Sequence, residues 1–289
     1  MPVATIGGLK TNYEILGEGP PLLMYSPGGF DATLDKWSSL GVYARIKLLE
    51  HLPKAYQCII FDRRETGQSG GRVERIGWDD YVEQGKGLLD HLGIDAAHLM
   101  GGCMGCCPVV AYGVKYPQSV LSMTLYWPVG GARFRIKGHG RFAQHLGLIE
   151  QEGLAGVVRL AQSTDAGFGK DPRVGPWAPV IRSDPDFAAA YAALDVERYK
   201  LIVTAMPRIL LDRDTAPGAE PEDLLRLDIP TLIVPGKDIA HATSAARYLE
   251  ECLPAAEYWD ILPDDQTDEN VPARLLEFLG RADASAQGR

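Results

Sequence analysis

The stretch "GGCMGCC" (101–107) sets a cysteine between two glycines in the pattern Gly-x-Cys-x-Gly, directly after the apolar run "AAHLM". A side chain in that position sits on a tight turn between a strand and a helix, so small residues are required two before and two after it: Gly101 and Gly105. The following segment, "CPVVAYGVKYP" (107–117), has helical spacing and directs its free N–H groups and the positive end of its dipole at the side chain. A thiol held there has a lowered pKa, so Cys103 is the candidate nucleophile. Cys106 and Cys107 open the helix and are read as packing residues.

A nucleophile of this kind works with a base, and the base with an orienting acid. Of the six histidines, His98 lies inside the strand before the turn and is assigned to the core. His51 and His91 fall at helix ends, and His139 and His145 are assigned to solvated faces. His241 remains, three residues after Asp238 in "PGKDIAHAT", and is the candidate base. Its orienting acid is sought among Asp238 and, in the last loop, Asp264 and Asp265, which the residues alone do not separate.

Six short apolar runs must form the scaffold: 20–26, 56–62, 96–102, 120–127, 230–236 and 256–262. They alternate with helical segments such as 79–93. Runs that are apolar throughout and bounded by Gly, Pro or Asp suit strands covered on both faces. Their alternation with helices implies a mostly parallel sheet with right-handed crossovers. Between Trp127 and about Leu225 the pattern is helical only. The expected organisation is therefore a core of 1–127 and 226–282, a helical cap of 128–225, and a disordered tail of 283–289.

These motifs resemble the α/β-hydrolase superfamily over nearly the whole chain. "LLMYSPGGFDATLDKW" (22–37) is similar to the family's early His-Gly-Gly-Phe loop, with Pro27 in the histidine's place. "FDRRETGQSGG" (61–71) is similar to its Asp-x-Arg-Gly-x-Gly-x-Ser turn, with Glu65 replacing a glycine. "DIPTLIVPGKD" (228–238) is similar to the strand that leads to the triad acid, which implies Asp238 in that role. The resemblance implies the α/β-hydrolase fold, with an oxyanion hole formed by the N–H groups of Met104 and Gly29 and with Phe30 beside it. Trp127, Phe142 and Trp177 are expected to enclose the substrate. The chain departs from the family in its last loop, "ILPDDQTDENVPARLLEFLG", which has no histidine. Cysteine tolerates that loss better than serine would, because a thiol at a helix N-terminus ionises more readily.

The expected activity is a cysteine-dependent acyl hydrolase or acyl transferase acting on a small, mostly apolar ester, lactone or thioester. The alternatives are a cofactor-free lyase or isomerase, and a ligand-binding homologue without turnover. No cofactor or metal is expected. With 289 residues, 46% hydrophobic and 23% charged, the chain can bury a sizeable core, and a formal charge of −9 with no basic block argues against a nucleic-acid partner. No run approaches the ~20 apolar residues that cross a bilayer. Five cysteines, an odd number with three in five residues, read as reduced thiols of a cytoplasmic protein. Oligomeric state is not legible.

Overall fold

The structure, a computed structural model, describes residues 2–287. Its centre is an eight-stranded sheet: β1 (Val3–Ile6), β2 (Leu9–Leu16), β3 (Pro21–Tyr25), β4 (Gln57–Phe61), β5 (Ala97–Gly102), β6 (Val120–Tyr126), β7 (Thr231–Val234) and β8 (Ala256–Tyr258). The spatial order is β1-β2-β4-β3-β5-β6-β7-β8. The β1–β2 and β2–β4 pairs are antiparallel, and every pair from β4–β3 to β7–β8 is parallel. The six apolar runs are the six parallel strands. The two strands before them are partly exposed, β1 burying only Ala4 and β2 burying Thr11, Asn12 and Tyr13, and they close one edge of the sheet.

Helices cover both faces. Trp78–His91 and Cys106–Lys115 pack on one side, with Val82, Leu88, Val109 and Tyr112 meeting Leu23, Leu99 and Leu125 of the sheet. The helix Asn270–Gln287 packs on the other, where Leu275, Phe278 and Leu279 join Leu22, Met24 and Ile60. Burial of these apolar faces is the main stabilising term.

The insertion between β6 and β7 is helical. Its long helix, Ala132–Ser163, is broken by the non-helical backbone of Gly153, and Ala178–Ser183, Pro185–Ala192 and Val196–Leu210 follow. Its apolar faces form a separate core with residues of the sheet's carboxyl edge. Phe30 meets Phe142 and Phe168 edge-on with centroids 5.5 and 5.2 Å away. None of the described helices is long and apolar enough to cross a membrane.

Three expectations differ from the structure. Residues 283–287 continue the last helix rather than forming a disordered tail, because Asp283 faces inward and bonds Tyr56 Oη (2.8 Å) and His98 Nε2 (3.0 Å). Residues 288 and 289 lie outside the described residues. His145 is fully buried in the insertion, between the Arg173 carbonyl (2.9 Å) and Tyr199 Oη (2.7 Å), and burial drops its pKa to about 4. His139 is half-buried, with Nε2 3.4 Å from the Leu211 carbonyl.

Candidate active site

Cys103 follows β5 directly with a left-handed backbone (φ 55°) and starts a single turn, Cys103–Gly105, that runs into the helix Cys106–Lys115. The glycines on either side are required by space. A Cβ at Gly101 would lie 2.4 Å from the Gly105 carbonyl oxygen, and one at Gly105 would lie 2.4 Å from that of Tyr25. A left-handed conformation at a side-chain-bearing residue costs about 1–3 kcal/mol and persists only where the surroundings impose it. Here β5 and its helix do so.

Cys103 is partly exposed, whereas Cys58, Cys106, Cys107 and Cys252 are buried, and all five are free thiols. Cys106 donates weakly from Sγ to the Gly101 carbonyl (3.1 Å), so it packs under the turn. Burial pushes the thiols of Cys106 and Cys107 up. At Cys103 burial acts in the same sense, but the His241 side chain and the backbone N–H groups of Met104 and Gly28 override it and hold the pKa below the ordinary thiol value.

The loop after β7 brings His241 to this thiol. The Asp238 carboxylate accepts the backbone N–H groups of Ala240 (2.7 Å) and His241 (2.9 Å), which folds the loop into a tight turn. Its Oδ1 and Oδ2 both lie 2.9 Å from His241 Nδ1. Gly130 N–H donates to the Ala240 carbonyl (3.0 Å) and ties this turn to the chain leaving β6. The His241 ring rests against the Trp127 indole, centroids 5.4 Å apart.

Burial disfavours a charged imidazole, yet the Asp238 carboxylate and the Cys103 sulfur outweigh it and push the His241 pKa up to about 10. The bond to His241, with the two backbone donors, holds Asp238 down at about 2. His241 Nε2 is buried without a hydrogen-bond partner of ordinary geometry, and the imidazole stabilises the charged form of the Cys103 thiol. Catalytic hydrogen bonds often tighten only when substrate is bound.

The structure thus brings Cys103, His241, Asp238 and Met104 into one place. Asp264 and Asp265 are exposed in a short turn of the last loop, and no hydrogen bond joins either to His241. In the glycine loop the Gly28 backbone helps to hold the Cys103 thiol below its ordinary pKa, and the Gly29 carbonyl accepts Arg63 Nη2 at 2.6 Å. Gly28 itself must be glycine, with φ 117° and a would-be Cβ 2.8 Å from the Asp31 carbonyl oxygen.

Phe30 and Phe142 pack in the insertion's aromatic cluster near the turn, and Trp177 lies deeper, donating to the Arg72 carbonyl at 2.9 Å. Trp127 is committed elsewhere than expected, since its indole supports His241 and its Nε1 donates to Gln266 Oε1 (2.9 Å). Gln266 is fully buried in the last loop and also binds Tyr126 Oη and the Pro235 carbonyl. The segment without a histidine therefore holds the neighbours of His241. Its "DDQTDE" surface-like composition gave no sign of this.

The profile of the family described as "alpha/beta hydrolase fold" matches residues 21–132, which hold β3 to β6, the glycine loop and the Cys103 turn. A proline iminopeptidase of Clostridioides difficile (strain 630) is 27% identical over 157 residues, 52% of this chain and 51% of that protein. A 2-hydroxy-6-oxo-6-phenylhexa-2,4-dienoate hydrolase of Comamonas testosteroni is 31% identical over 121 residues, 41% of this chain and 40% of that one. The chain spans about a third to a half of the length of the curated relatives it matches. The crystal structure of the enol-lactonase from Burkholderia xenovorans LB400 superimposes with a TM-score of 0.61 at 18% identity, covering 96% of this chain and 100% of that one. Strand order, the turn at Cys103 and these matches together show that the chain has the α/β-hydrolase fold.

Proposed function

We propose that the protein is a cysteine-dependent acyl hydrolase or acyl transferase acting on a small, mostly apolar ester, lactone or thioester. The observation that carries this reading is the Asp238 carboxylate 2.9 Å from His241 Nδ1, which favours a charged imidazole next to a Cys103 thiol whose own pKa that imidazole lowers. A thiolate and an imidazolium need no proton transfer before attack. The thiolate adds to the substrate carbonyl, and the oxyanion that develops is received by the N–H groups of Met104 and Gly28. As the tetrahedral adduct collapses, His241 Nε2–H gives its proton to the departing oxygen or sulfur and a thioester to Cys103 remains. Neutral His241 then takes a proton from water or from an acceptor alcohol, whose oxygen attacks the thioester and releases the thiolate.

Displacement of the imidazole from the last loop to the loop after β7 is compatible with this chemistry. The acid and base come from one tight turn, and only the nucleophile is supplied by another element. The Phe30, Phe142 and Phe168 cluster beside the turn supports an apolar substrate, with the helical insertion acting as its cap. Some relatives named above are hydrolases whose printed substrates contain a carbonyl carbon, in keeping with this reading.

The test is intact-mass spectrometry after exposure to 4-nitrophenyl acetate, with turnover recorded in parallel. An acetyl adduct at Cys103, lost together with turnover in Cys103→Ala, is the expected result. Turnover that survives Cys103→Ala would reassign the pocket to proton-transfer chemistry without an acyl-enzyme, and ligand binding without turnover or adduct would reduce the protein to a binding homologue.

A further inference from the structure

A cleft of about 1090 Å³ opens between the glycine loop and the insertion, and its wall includes Gly28, Asp31, Lys36, Arg141, Lys170 and Arg182. Gly28 and Asp31 of its wall belong to the glycine loop, whose short turn Gly29–Asp31 packs on the turn Cys103–Gly105, so the cleft lies beside the turn that carries the candidate nucleophile. In a chain of net charge −9 its lining is cationic, with four basic side chains against Asp31 and Asp165.

Three of those charges are engaged within the protein, and Lys170 and Asp165 are exposed to solvent. Arg182 donates to the carbonyls of Ala161, Thr164 and Ala166, and so closes the end of the long insertion helix. Lys36 leans on Asp35 at 3.5 Å. Asp31 accepts the Gly169 N–H at 2.8 Å, which pins the 164–170 loop to the core. Arg141 differs, because it is half-buried on the long insertion helix and forms no hydrogen bond or ion pair among the described residues. Its charge is felt by both Asp31 and Cys103. A guanidinium offers five N–H donors in a fixed fork that matches a carboxylate or phosphate, and leaving it half-desolvated without a partner is unfavourable.

We infer that Arg141 is a substrate-recognition residue, and that the acyl substrate carries an anionic group, carboxylate or phosphate, which Arg141 receives in this cleft while the carbonyl faces Cys103. This deepens the reading of the site as an acyl-transfer centre, and rests on it for the word substrate. The influence of this unpaired cation on Cys103 is testable without any turnover.

Iodoacetate and iodoacetamide differ in little besides charge. Each alkylates a thiolate by the same step, in which Sγ forms a bond to the methylene carbon and iodide leaves. An unassisted thiolate repels iodoacetate and reacts faster with the amide. Cys103 is the partly exposed thiol of the protein, so peptide mass spectrometry follows it selectively. In the wild-type protein, iodoacetate should label Cys103 at least as fast as iodoacetamide. Arg141→Gln should slow iodoacetate about tenfold relative to iodoacetamide, and Arg141→Lys should lose less. Using the ratio cancels any change in the thiolate population.

Glutarate and inorganic phosphate, added separately, should each slow iodoacetate labelling through Arg141, and the one that does so at lower concentration names the anion. A wild-type preference for iodoacetamide, an equal loss of both rates in Arg141→Gln, or no labelling of Cys103 by either reagent would overturn the inference. Failure of the acyl-transfer reading shows differently, as no acetyl adduct and no ester turnover while the Arg141-dependent labelling ratio persists.

Discussion

Asp238 and His241, three residues apart, are joined twice: the carboxylate accepts the His241 backbone N–H and also grips Nδ1 of its ring, at 2.9 Å in each case. One side chain therefore fixes both where the imidazole enters the site and which nitrogen faces the thiol. A carboxylate that does both sets the proton inventory of the whole pair.

Loss of that carboxylate should narrow the active pH range from both sides. The thiolate forms above the lowered pKa of Cys103, under its ordinary 9.0, and the imidazolium persists up to about 10. Activity should rise through the first and fall through the second. In Asp238→Asn the imidazolium loses its stabilising charge, so the alkaline limb moves down from about 10 toward 6.5, and the thiolate loses its cation, so the acid limb moves up. The maximum kcat/KM for 4-nitrophenyl acetate should fall roughly 100-fold or more, a typical size for loss of proton-transfer catalysis. An unshifted alkaline limb would show that Asp238 does not govern His241.

Stability should follow the same two groups, with opposite signs. The His241 pKa is raised on folding from 6.5 to about 10, so its contribution is complete below 6.5 and is lost as pH rises through about 10. The Asp238 pKa is lowered from 3.8 to about 2, so its contribution is complete above 3.8 and is lost as pH falls toward 2. The Tm advantage of the wild type over His241→Asn should therefore be widest between pH 3.8 and 6.5 and shrink at either end. A difference that is flat across pH would mean that the charge pair contributes no stability.

Legibility in the sequence followed the physical strength of each signal. The parallel strands β3 to β7 are buried and were visible with the half-buried edge strand β8 as apolar runs, and the Gly101–Cys103–Gly105 turn was visible because backbone crowding there excludes side chains. β1 and β2 are partly exposed and mix polar with apolar residues, which a search for apolar runs passes over. His145 was assigned to a solvated face, and what places it inside instead is a tertiary partner, Tyr199, 54 residues away. Gln266 and Asp283 were illegible for the same reason, since a polar residue in a polar stretch carries no mark of the buried donor it will meet.

Gln266 is the sharpest case, and its replacement should be costly. It is fully buried and serves Tyr126 Oη, Trp127 Nε1 and the Pro235 carbonyl at once. Gln266→Leu keeps the volume and strands these groups, at about 1–3 kcal/mol for each buried group left unpaired. Because Trp127 supports the His241 ring, Cys103 alkylation should also lose some of its pH dependence. Urea denaturation and the labelling profile would measure the two effects. A variant as stable as the wild type would show that water replaces the amide.

Asp283 tests whether the last helix is held in place or only extends from the domain. His98 is fully buried within β5, with Nδ1 on Ser122 Oγ at 2.8 Å, and Nε2 reaches Asp283 as its second partner. Burial lowers the His98 pKa and the Asp283 carboxylate opposes that shift, so the imidazole is neutral at pH 7 and the bond is a hydrogen bond to a carboxylate rather than a full ion pair. Asp283→Ala removes the acceptor for both His98 and Tyr56, and should cost about 1–3 kcal/mol by stranding their buried donors. Ser285→Ala, two residues on, removes only an exposed bond to the Arg281 carbonyl and should stay within about 0.5 kcal/mol of wild type. Equal stability of the two variants would mean that residues beyond 282 are dispensable. A loss confined to Asp283→Ala would fix the boundary of the folded domain past the point where composition alone placed it.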